Sequence, residues 1–132
     1  MNGLCGIGTD ILSLERFRNV LDTGGDAFIQ EVFSRAEQDA ALLREDKENF
    51  YATRFAGKEA VFKCLGTTWV SGLVLREIEI LETPSGAPEV RLHGNAREAA
   101  LKAGIGKILL SLSFERDYAV AMAASLAMPQ NI

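Results

Sequence analysis

The sequence has few of the residues on which many classes of enzyme rely. Its 132 residues include one histidine, His93, and two cysteines, Cys5 and Cys64. The cysteines have neither a metal-binding nor a redox spacing, so we expect free thiols in a reducing cytoplasm. Because a single histidine cannot supply the usual partners of a nucleophile or of a zinc ion, neither kind of site is predicted.

Long apolar runs and an excess of positive charge are also missing. The longest apolar stretch, residues 119–128, is well short of the ~20 residues that a membrane-crossing helix needs. No basic segment followed by an apolar core marks a secretory signal at the N-terminus. The formal net charge of −4 gives no extended cationic surface, which argues against general nucleic-acid binding. The length and the hydrophobic content of 48% instead predict one globular domain, residues 1–132.

The stretch from residue 47 to residue 66 is predicted to be a long helix around which the domain is built. Its large apolar residues recur at helical spacing and form one stripe: Tyr51, Phe55, Phe62 and Leu65. Lys58 falls inside this stripe, while Glu59 and Lys63, one turn apart, run along its flank. Charges beside aromatic side chains are costly to bury unless they are paired or bind a ligand. These three charges are therefore either a solvated flank or part of a binding site.

The rest of the chain is divided between short helices and strands. A buried strand at 4–11 precedes short helices at 13–21, 26–33 and 35–44, and then the long helix begins. Strands at 75–81 and 89–93, a helix at 95–103, and strands at 107–113 and 118–126 complete the chain. Asp22 to Gly25 are expected to end the first of these helices. The element order assigned to the chain is βαααββαββ, one helix fewer than the segments named here. This order predicts an α+β fold with a mostly antiparallel sheet packed on the long central helix.

Asp10 stands where the first strand is predicted to end. The glycines before it, Gly6 and Gly8, lack the third glycine of a dinucleotide-binding loop, so that interpretation is rejected. Asp10 is either a turn or helix-capping residue, or a ligand of a divalent cation that bridges to phosphate. Two carboxylates, Asp10 and Glu59, without histidine or cysteine suit Mg²⁺, and Lys63 adds a counter-charge for phosphate. The residues alone thus suggest phosphate chemistry.

Two segments of the chain also resemble the signatures of a known family. These are GIGTD at residues 6–10 and RFAGKEAVFKCLGT at residues 54–67. Together they look like the two motifs of the holo-acyl-carrier-protein synthases, the short 4′-phosphopantetheinyl transferases. The resemblance covers residues 4–127 and includes the turn at 86–88 and the final strands. Each motif alone is modest evidence for this family. The two motifs together, in this order and in a chain of this size, are a specific sign of it.

The resemblance implies a transferase that uses coenzyme A. The serine hydroxyl of an apo acyl carrier protein would attack the phosphate that bears pantetheine, and adenosine 3′,5′-bisphosphate would leave. Asp10 and Glu59 would hold Mg²⁺ on the pyrophosphate, Glu59 would be the candidate base, and Lys63 would neutralise phosphate charge. The residues that would line the coenzyme site are Arg54, Lys63, Gly66, Thr67, Pro88, Ser113 and Phe114.

The assembly and the carrier partner are also implied by the resemblance. Short members of the family are homotrimers with sites between subunits, which would place the apolar last strand inside the assembly. An acidic carrier needs a positive surface on an enzyme of net charge −4, and Arg16 and Arg18 lie just beyond Asp10. The alternative is that both arginines are solvated residues paired with Glu15 or Asp22.

Phe114 is the main departure from the family pattern, because many relatives have a histidine there. A phenyl ring cannot donate to a coenzyme phosphate, although it can stack on adenine. Thr68, where a glycine is common, is a smaller departure. Two other classes of protein stay open: a non-catalytic trimeric module that binds coenzyme A or a nucleotide, and a structural trimer in which Asp10 and Glu59 hold no metal.

Overall fold

The computed structural model describes residues 3–66 and 74–129 of the chain. Its elements in chain order are β1 (Leu4–Ser13), α1 (Leu14–Val32), α2 (Arg35–Leu42), α3 (Lys47–Cys64), β2 (Ile78–Glu82), β3 (Pro88–Leu92), α4 (Gly94–Lys102), β4 (Ile105–Phe114) and β5 (Tyr118–Ala127). A single 3₁₀ turn, Leu75–Glu77, precedes β2. The order is the predicted βαααββαββ, and the α+β fold class is confirmed. Across these residues no helix is long and apolar enough to cross a membrane.

The strands form two antiparallel sheets that both pack on α3. The larger sheet has the order β1-β5-β4, and the smaller one is the β2-β3 hairpin. β5, which was expected inside the assembly, is the central strand of the larger sheet. Its Ala119, Ala121 and Ala123 side chains are buried against α3, whereas Val120 and Met122 on the opposite face are exposed. One face of β5 therefore belongs to the core and the other is open in the single chain.

α3 lies at the centre of the molecule and is buried on most of its circumference. Gly57, at its midpoint, explains how it contacts two sheets at once. A methyl group added there would lie 2.7 Å from Ile80 Cδ1 of β2 and 3.0 Å from Leu112 Cδ2 of β4. Both side chains therefore rest directly on the helix backbone. This close packing offsets the ~1 kcal/mol by which glycine disfavours a helix interior relative to alanine.

β1 approaches α3 even more closely. A methyl group at Gly8 would lie 1.9 Å from the Ala60 carbonyl oxygen, and one at Gly6 would lie 2.7 Å from the Cys64 carbonyl oxygen. The buried Ser125 hydroxyl of β5 donates to that same Cys64 oxygen at 2.7 Å. Because side chains alternate along a strand, Asp10 follows Gly6 and Gly8 on the face that meets α3.

Lys58 forms a buried ion pair with Glu37 of α2. The Lys58 Nζ donates to Glu37 Oε1 at 2.7 Å, to the Ile78 carbonyl at 2.5 Å and to the Leu75 carbonyl at 3.0 Å. The second Glu37 oxygen accepts from the Ile80 backbone N–H at 2.9 Å. Both side chains are 0% exposed. Lys58 thus uses its three donors inside the protein, and neither a solvated flank nor a ligand site describes it.

Several predicted boundaries differ from the structure by a few residues, and three of the differences have a reason that the contacts show. The helices predicted at 13–21 and 26–33 form one element, α1, which is broken only at Gly25, where φ is 55° and ψ is −145°. β1 continues past Asp10 to Ser13 because it stays paired with β5 as far as Tyr118. The strand predicted at 75–81 starts at Ile78, since residues 75–77 turn toward the Lys58 ammonium.

Replacing Lys58 with methionine should lower the free energy of unfolding by about 3–5 kcal/mol, because it leaves the Glu37 carboxylate buried without a counter-charge. Urea unfolding at a fixed protein concentration measures this. Lys47→Met, an exposed lysine on the same helix, is the control and should change stability little. The double variant Lys58→Met/Glu37→Leu should recover much of the loss. A single variant as stable as the parent chain would show that the pair does not anchor the hairpin.

Candidate functional site

Asp10, Glu59 and Lys63 come together where β1 crosses α3, and we refer to them as the carboxylate cluster. The Lys63 Nζ donates to the Thr9 carbonyl at 2.8 Å and lies 3.5 Å from Asp10 Oδ1. Glu59 precedes Lys63 by one turn on the same helix, and both it and Asp10 are partly buried. The cluster therefore forms because two glycines bring the Asp10 strand onto the helix that carries the other two residues.

Burial shifts the titration of both carboxyl groups in the cluster. Desolvation raises the pKa of Glu59, and the nearby Asp10 carboxylate raises it further, while Lys63 opposes the change. Desolvation also raises the pKa of Asp10, against the attraction of Lys63. Two partly buried carboxyl groups, one of which raises the pKa of the other, are a site where a bound cation would be stabilising.

The donor set of the carboxylate cluster fits a hard divalent cation. Within residues 3–66 and 74–129, no three histidine, cysteine, aspartate or glutamate side chains group together as a metal site would need. Mg²⁺ does not need such a cage, because it retains waters and takes one or two carboxylates together with substrate phosphates. Asp10 and Glu59 are the residues that would hold it.

The helix-capping interpretation of Asp10 is wrong. Asp10 lies inside β1, three residues before the strand ends. The N-cap of α1 is Ser13, whose hydroxyl accepts from the Arg16 backbone N–H at 3.2 Å. The Asp10 carboxylate therefore has no capping role, and Lys63 is the partner that the structure gives it.

A separate cleft of about 190 Å³, which we call the arginine cleft, contains four of the predicted coenzyme residues: Arg54, Pro88, Ser113 and Phe114. Arg54 is buried and its guanidinium lies 4.3 Å from the centre of the Phe50 ring. One terminal nitrogen donates to Glu82 Oε1 at 3.2 Å. The buried Arg54 Nε, by contrast, has no hydrogen-bond partner among the residues described. A buried N–H without an acceptor is costly, so an anionic group in the cleft would be favoured.

Sequence reasoning missed several residues of the arginine cleft. Arg44, Thr53, Glu82 and Gly86 also line it. Arg44 is an isolated cation in the loop after α2, and no local pattern distinguishes it from a solvated residue. It lies 3.7 Å from Glu82 Oε1, so Glu82 bridges two arginines. Gly86 could have been predicted from the sequence, because the turn at 86–88 was part of the resemblance to the family.

The remaining predicted residues lie away from this cleft or outside the described part of the chain. Lys63 belongs to the carboxylate cluster. Gly66 is exposed just after α3, with φ at 114°. Thr67, together with the departure at Thr68, lies outside the described residues.

The two predicted docking arginines project from the first turns of α1. Arg18 donates to Glu48 Oε2 at 2.6 Å, in an exposed ion pair, and not to Glu15 or Asp22 as the alternative interpretation had it. Arg16 is exposed, and within the described part of the chain its side chain has no ion pair. Arg16 is thus the more available cation on this surface.

The carboxylate cluster and the arginine cleft lie on different sides of α3. Asp10 is on β1, one edge of the larger sheet, whereas Ser113 and Phe114 are on β4, the other edge. On α3 itself, Arg54 and Glu59 are five residues apart, which places them about 140° apart around the helix axis. The two sets of predicted residues are therefore separate from each other in a single chain.

The chain belongs to the 4′-phosphopantetheinyl transferase superfamily, whose family model matches residues 6–123. This span contains the carboxylate cluster and the residues of the arginine cleft.

Similar proteins within the superfamily are holo-acyl-carrier-protein synthases. The chain is 42% identical over 123 residues to the holo-[acyl-carrier-protein] synthase of Desulforudis audaxviator, with 93% of each chain covered. The crystal structure of the corresponding synthase from Neisseria meningitidis superposes with a TM-score of 0.85 at 31% identity, covering 92% of this chain and 98% of that one. A Chronobacterium ammoniagenes synthase in complex with coenzyme A gives a TM-score of 0.81 at 27% identity, with 94% and 98% covered.

Replacing Glu59 with glutamine should stabilise the protein at neutral pH. The raised pKa of Glu59 means that its ionised form is disfavoured by folding, so this cost is present above the folded-state pKa and disappears below the unfolded-state value. The gain in melting temperature should therefore be largest near pH 7.5 and fade toward pH 4 in thermal unfolding with a chelator present. Glu98→Gln, at an exposed glutamate of α4, should show no such gain. A Glu59→Gln gain that is the same at both pH values would contradict the assignment.

Proposed function

We propose that this chain transfers 4′-phosphopantetheine from coenzyme A to a serine hydroxyl of an apo acyl carrier protein. The serine oxygen forms a bond to the phosphorus that bears pantetheine, the bond to adenosine 3′,5′-bisphosphate breaks, and the serine proton is taken up by a base. The observation that carries the proposal is that two sequence motifs, far apart in the chain, meet as the carboxylate cluster. The chain's likeness to holo-acyl-carrier-protein synthases supports the same reaction.

The carboxylate cluster supplies the charges that phosphoryl transfer needs. Asp10 and Glu59 would hold Mg²⁺, which when bound neutralises pyrophosphate charge. Lys63, fixed by the Thr9 carbonyl, places an ammonium beside them for a phosphate oxygen. Glu59 is the base we propose for the serine proton, since a raised pKa makes a carboxylate a better proton acceptor.

The arginine cleft is the proposed site for the nucleotide end of coenzyme A. Arg54, whose buried Nε has no hydrogen-bond partner among the described residues, is the guanidinium we propose for a phosphate, and Arg44 adds a second guanidinium on the same cleft. Phe114 is about half exposed there, where its ring is free to stack on adenine in place of the histidine of many relatives. Ser113 and Pro88 complete the walls.

A ring of three copies would join the carboxylate cluster of one copy to the arginine cleft of another, and in this proposal each of the two is a half-site. A head-to-tail interface uses different surfaces on each copy, so it can bring the β1 edge of one chain to the β4 edge of the next. The exposed face of the larger sheet offers apolar area for such contacts through Ile7, Ile11, Val120 and Met122. We therefore propose a homotrimer in which each site takes the carboxylate cluster from one copy and the arginine cleft from another. Two free cysteines fit a cytoplasmic location.

Incubation with coenzyme A, Mg²⁺ and apo acyl carrier protein should add the mass of phosphopantetheine to the carrier, as intact-mass spectrometry measures. Chelation should abolish the addition, and Glu59→Gln should reduce its rate at least a hundredfold, given what a general base contributes. Coenzyme A binding without transfer to any of several apo carriers would instead identify a non-catalytic coenzyme-binding module.

Co-expression of two inactive variants tests whether sites are shared between copies. Arg54→Ala and Glu59→Gln break different half-sites, so a mixed ring would contain some sites in which both halves are intact. Random mixing should restore roughly a quarter of the parent activity. The matched control, Asp10→Asn with Glu59→Gln, breaks the same half-site twice and should restore none. Failure of the first pair to recover would place each complete site within one chain.

Arg16→Glu should raise the KM for the carrier severalfold at low salt and leave the KM for coenzyme A nearly unchanged. Exposed charges mainly speed the encounter with an acidic partner, and salt screens them, so the effect should shrink as salt is added. Lys102→Glu, the same charge reversal on α4, is the control. If both substitutions act equally, net charge and not a docking surface on α1 is responsible.

A further inference from the structure

A second and larger cleft, with a volume of about 680 Å³, lies between β3, α4 and β4. We call it the aliphatic cleft, because its walls include Val90 and Leu92 of β3, Leu101 of α4, Ile108 of β4, and Met128. The volume falls within the ~300–1,000 Å³ typical of sites for small molecules. None of the carboxylate cluster lines it, and of the predicted coenzyme residues that the structure describes only Pro88 does, so the proposed transfer reaction leaves most of this cleft unused.

Two cations interrupt this aliphatic lining. Arg97 of α4 and Lys107 of β4 both line the cleft and are both exposed. Neither has an ion-pair partner within residues 3–66 and 74–129, in contrast to Glu89, which also lines the cleft and pairs with Arg91 at 3.0 Å. Among the described residues, the cleft lining therefore carries two cations without an ion pair and one carboxylate, Glu89, whose charge is paired with Arg91.

The combination of apolar walls and unpaired cations selects one kind of ligand. Leu101 is 50% exposed and Met128 is 43% exposed, so apolar surface here stays in contact with water. An alkyl chain would cover that surface, and an anionic head group would form charge-assisted hydrogen bonds with Arg97 and Lys107. A cationic amphiphile would be repelled by the same two residues.

We propose that the aliphatic cleft binds a single-chain amphiphile with a carboxylate head. Its alkyl chain lies against Val90, Leu92 and Ile108, and its carboxylate faces Arg97 and Lys107. Pro88 lines both this cleft and the arginine cleft. The two clefts thus share a wall, although the proposed ligand does not enter the transfer chemistry.

Titration calorimetry with dodecanoate, well below its micellar concentration, tests the proposal. Dodecanoate should bind with saturation, and dodecyltrimethylammonium, which has the same chain and the opposite charge, should not. The double variant Arg97→Ala/Lys107→Ala should weaken dodecanoate binding about tenfold or more. Lys102→Ala, which removes an exposed cation of α4 that does not line the cleft, should leave binding unchanged.

Three results would overturn this assignment. One is equal binding of the two amphiphiles, which would indicate a non-specific apolar surface. Another is binding that the double variant does not weaken. The third is a change of oligomeric mass in the double variant, measured by light scattering, because the cleft would then be an interface between copies. Since transfer activity is not part of the readout, failure here is distinguishable from failure of the proposed reaction.

Discussion

The buried ion pair of Lys58 and Glu37 is the constraint on which the smaller half of the molecule depends. It joins α2 and α3 and takes up backbone groups at the start of β2, which would otherwise be buried without partners. Because an uncompensated charge at this depth is costly, these contacts hold the start of the hairpin against α2 and α3. The hairpin carries Glu82 and Pro88, which are walls of the arginine cleft. The shape of that cleft therefore depends on an ion pair whose two residues do not line it.

The carboxylate cluster has a different origin, because it depends on two positions of β1 that have no side chain. Gly6 and Gly8 allow β1 to lie against the carbonyl oxygens of α3 at distances that any Cβ would prevent. Asp10 then meets Glu59 and Lys63 although about fifty residues separate them in the chain. The charges in the cluster are chemically ordinary. Burial where the strand meets the helix raises the pKa of the Asp10 and Glu59 carboxyl groups.

Much of the fold and of the candidate site could be predicted from the sequence. The features that could not be predicted have physical reasons. Helical spacing and strand alternation were enough for the element order, and the two motifs pointed to Asp10, Glu59 and Lys63, which the structure brings together. Lys58 was ambiguous, because its partner Glu37 lies on another helix and no local pattern announces a long-range pair. The same holds for Arg44 and Glu82, which meet only after folding. Residues 75–77 read as strand, but tertiary hydrogen bonds to Lys58 overrode the alternation.

The alternation of side chains along β1 limits which insertions and deletions this strand can accept during evolution. Gly6, Gly8 and Asp10 face α3, while Ile7 and Ile11, between and beyond them, lie on the exposed apolar face. A strand has a period of two, so inserting or deleting one residue would exchange the two sets completely. The aspartate would then face outward, and bulky isoleucines would meet the helix backbone. The position of Asp10 in the carboxylate cluster and the apolar surface of the sheet therefore depend on the same alternation of side chains along β1. A shift of one position in this strand would disrupt both.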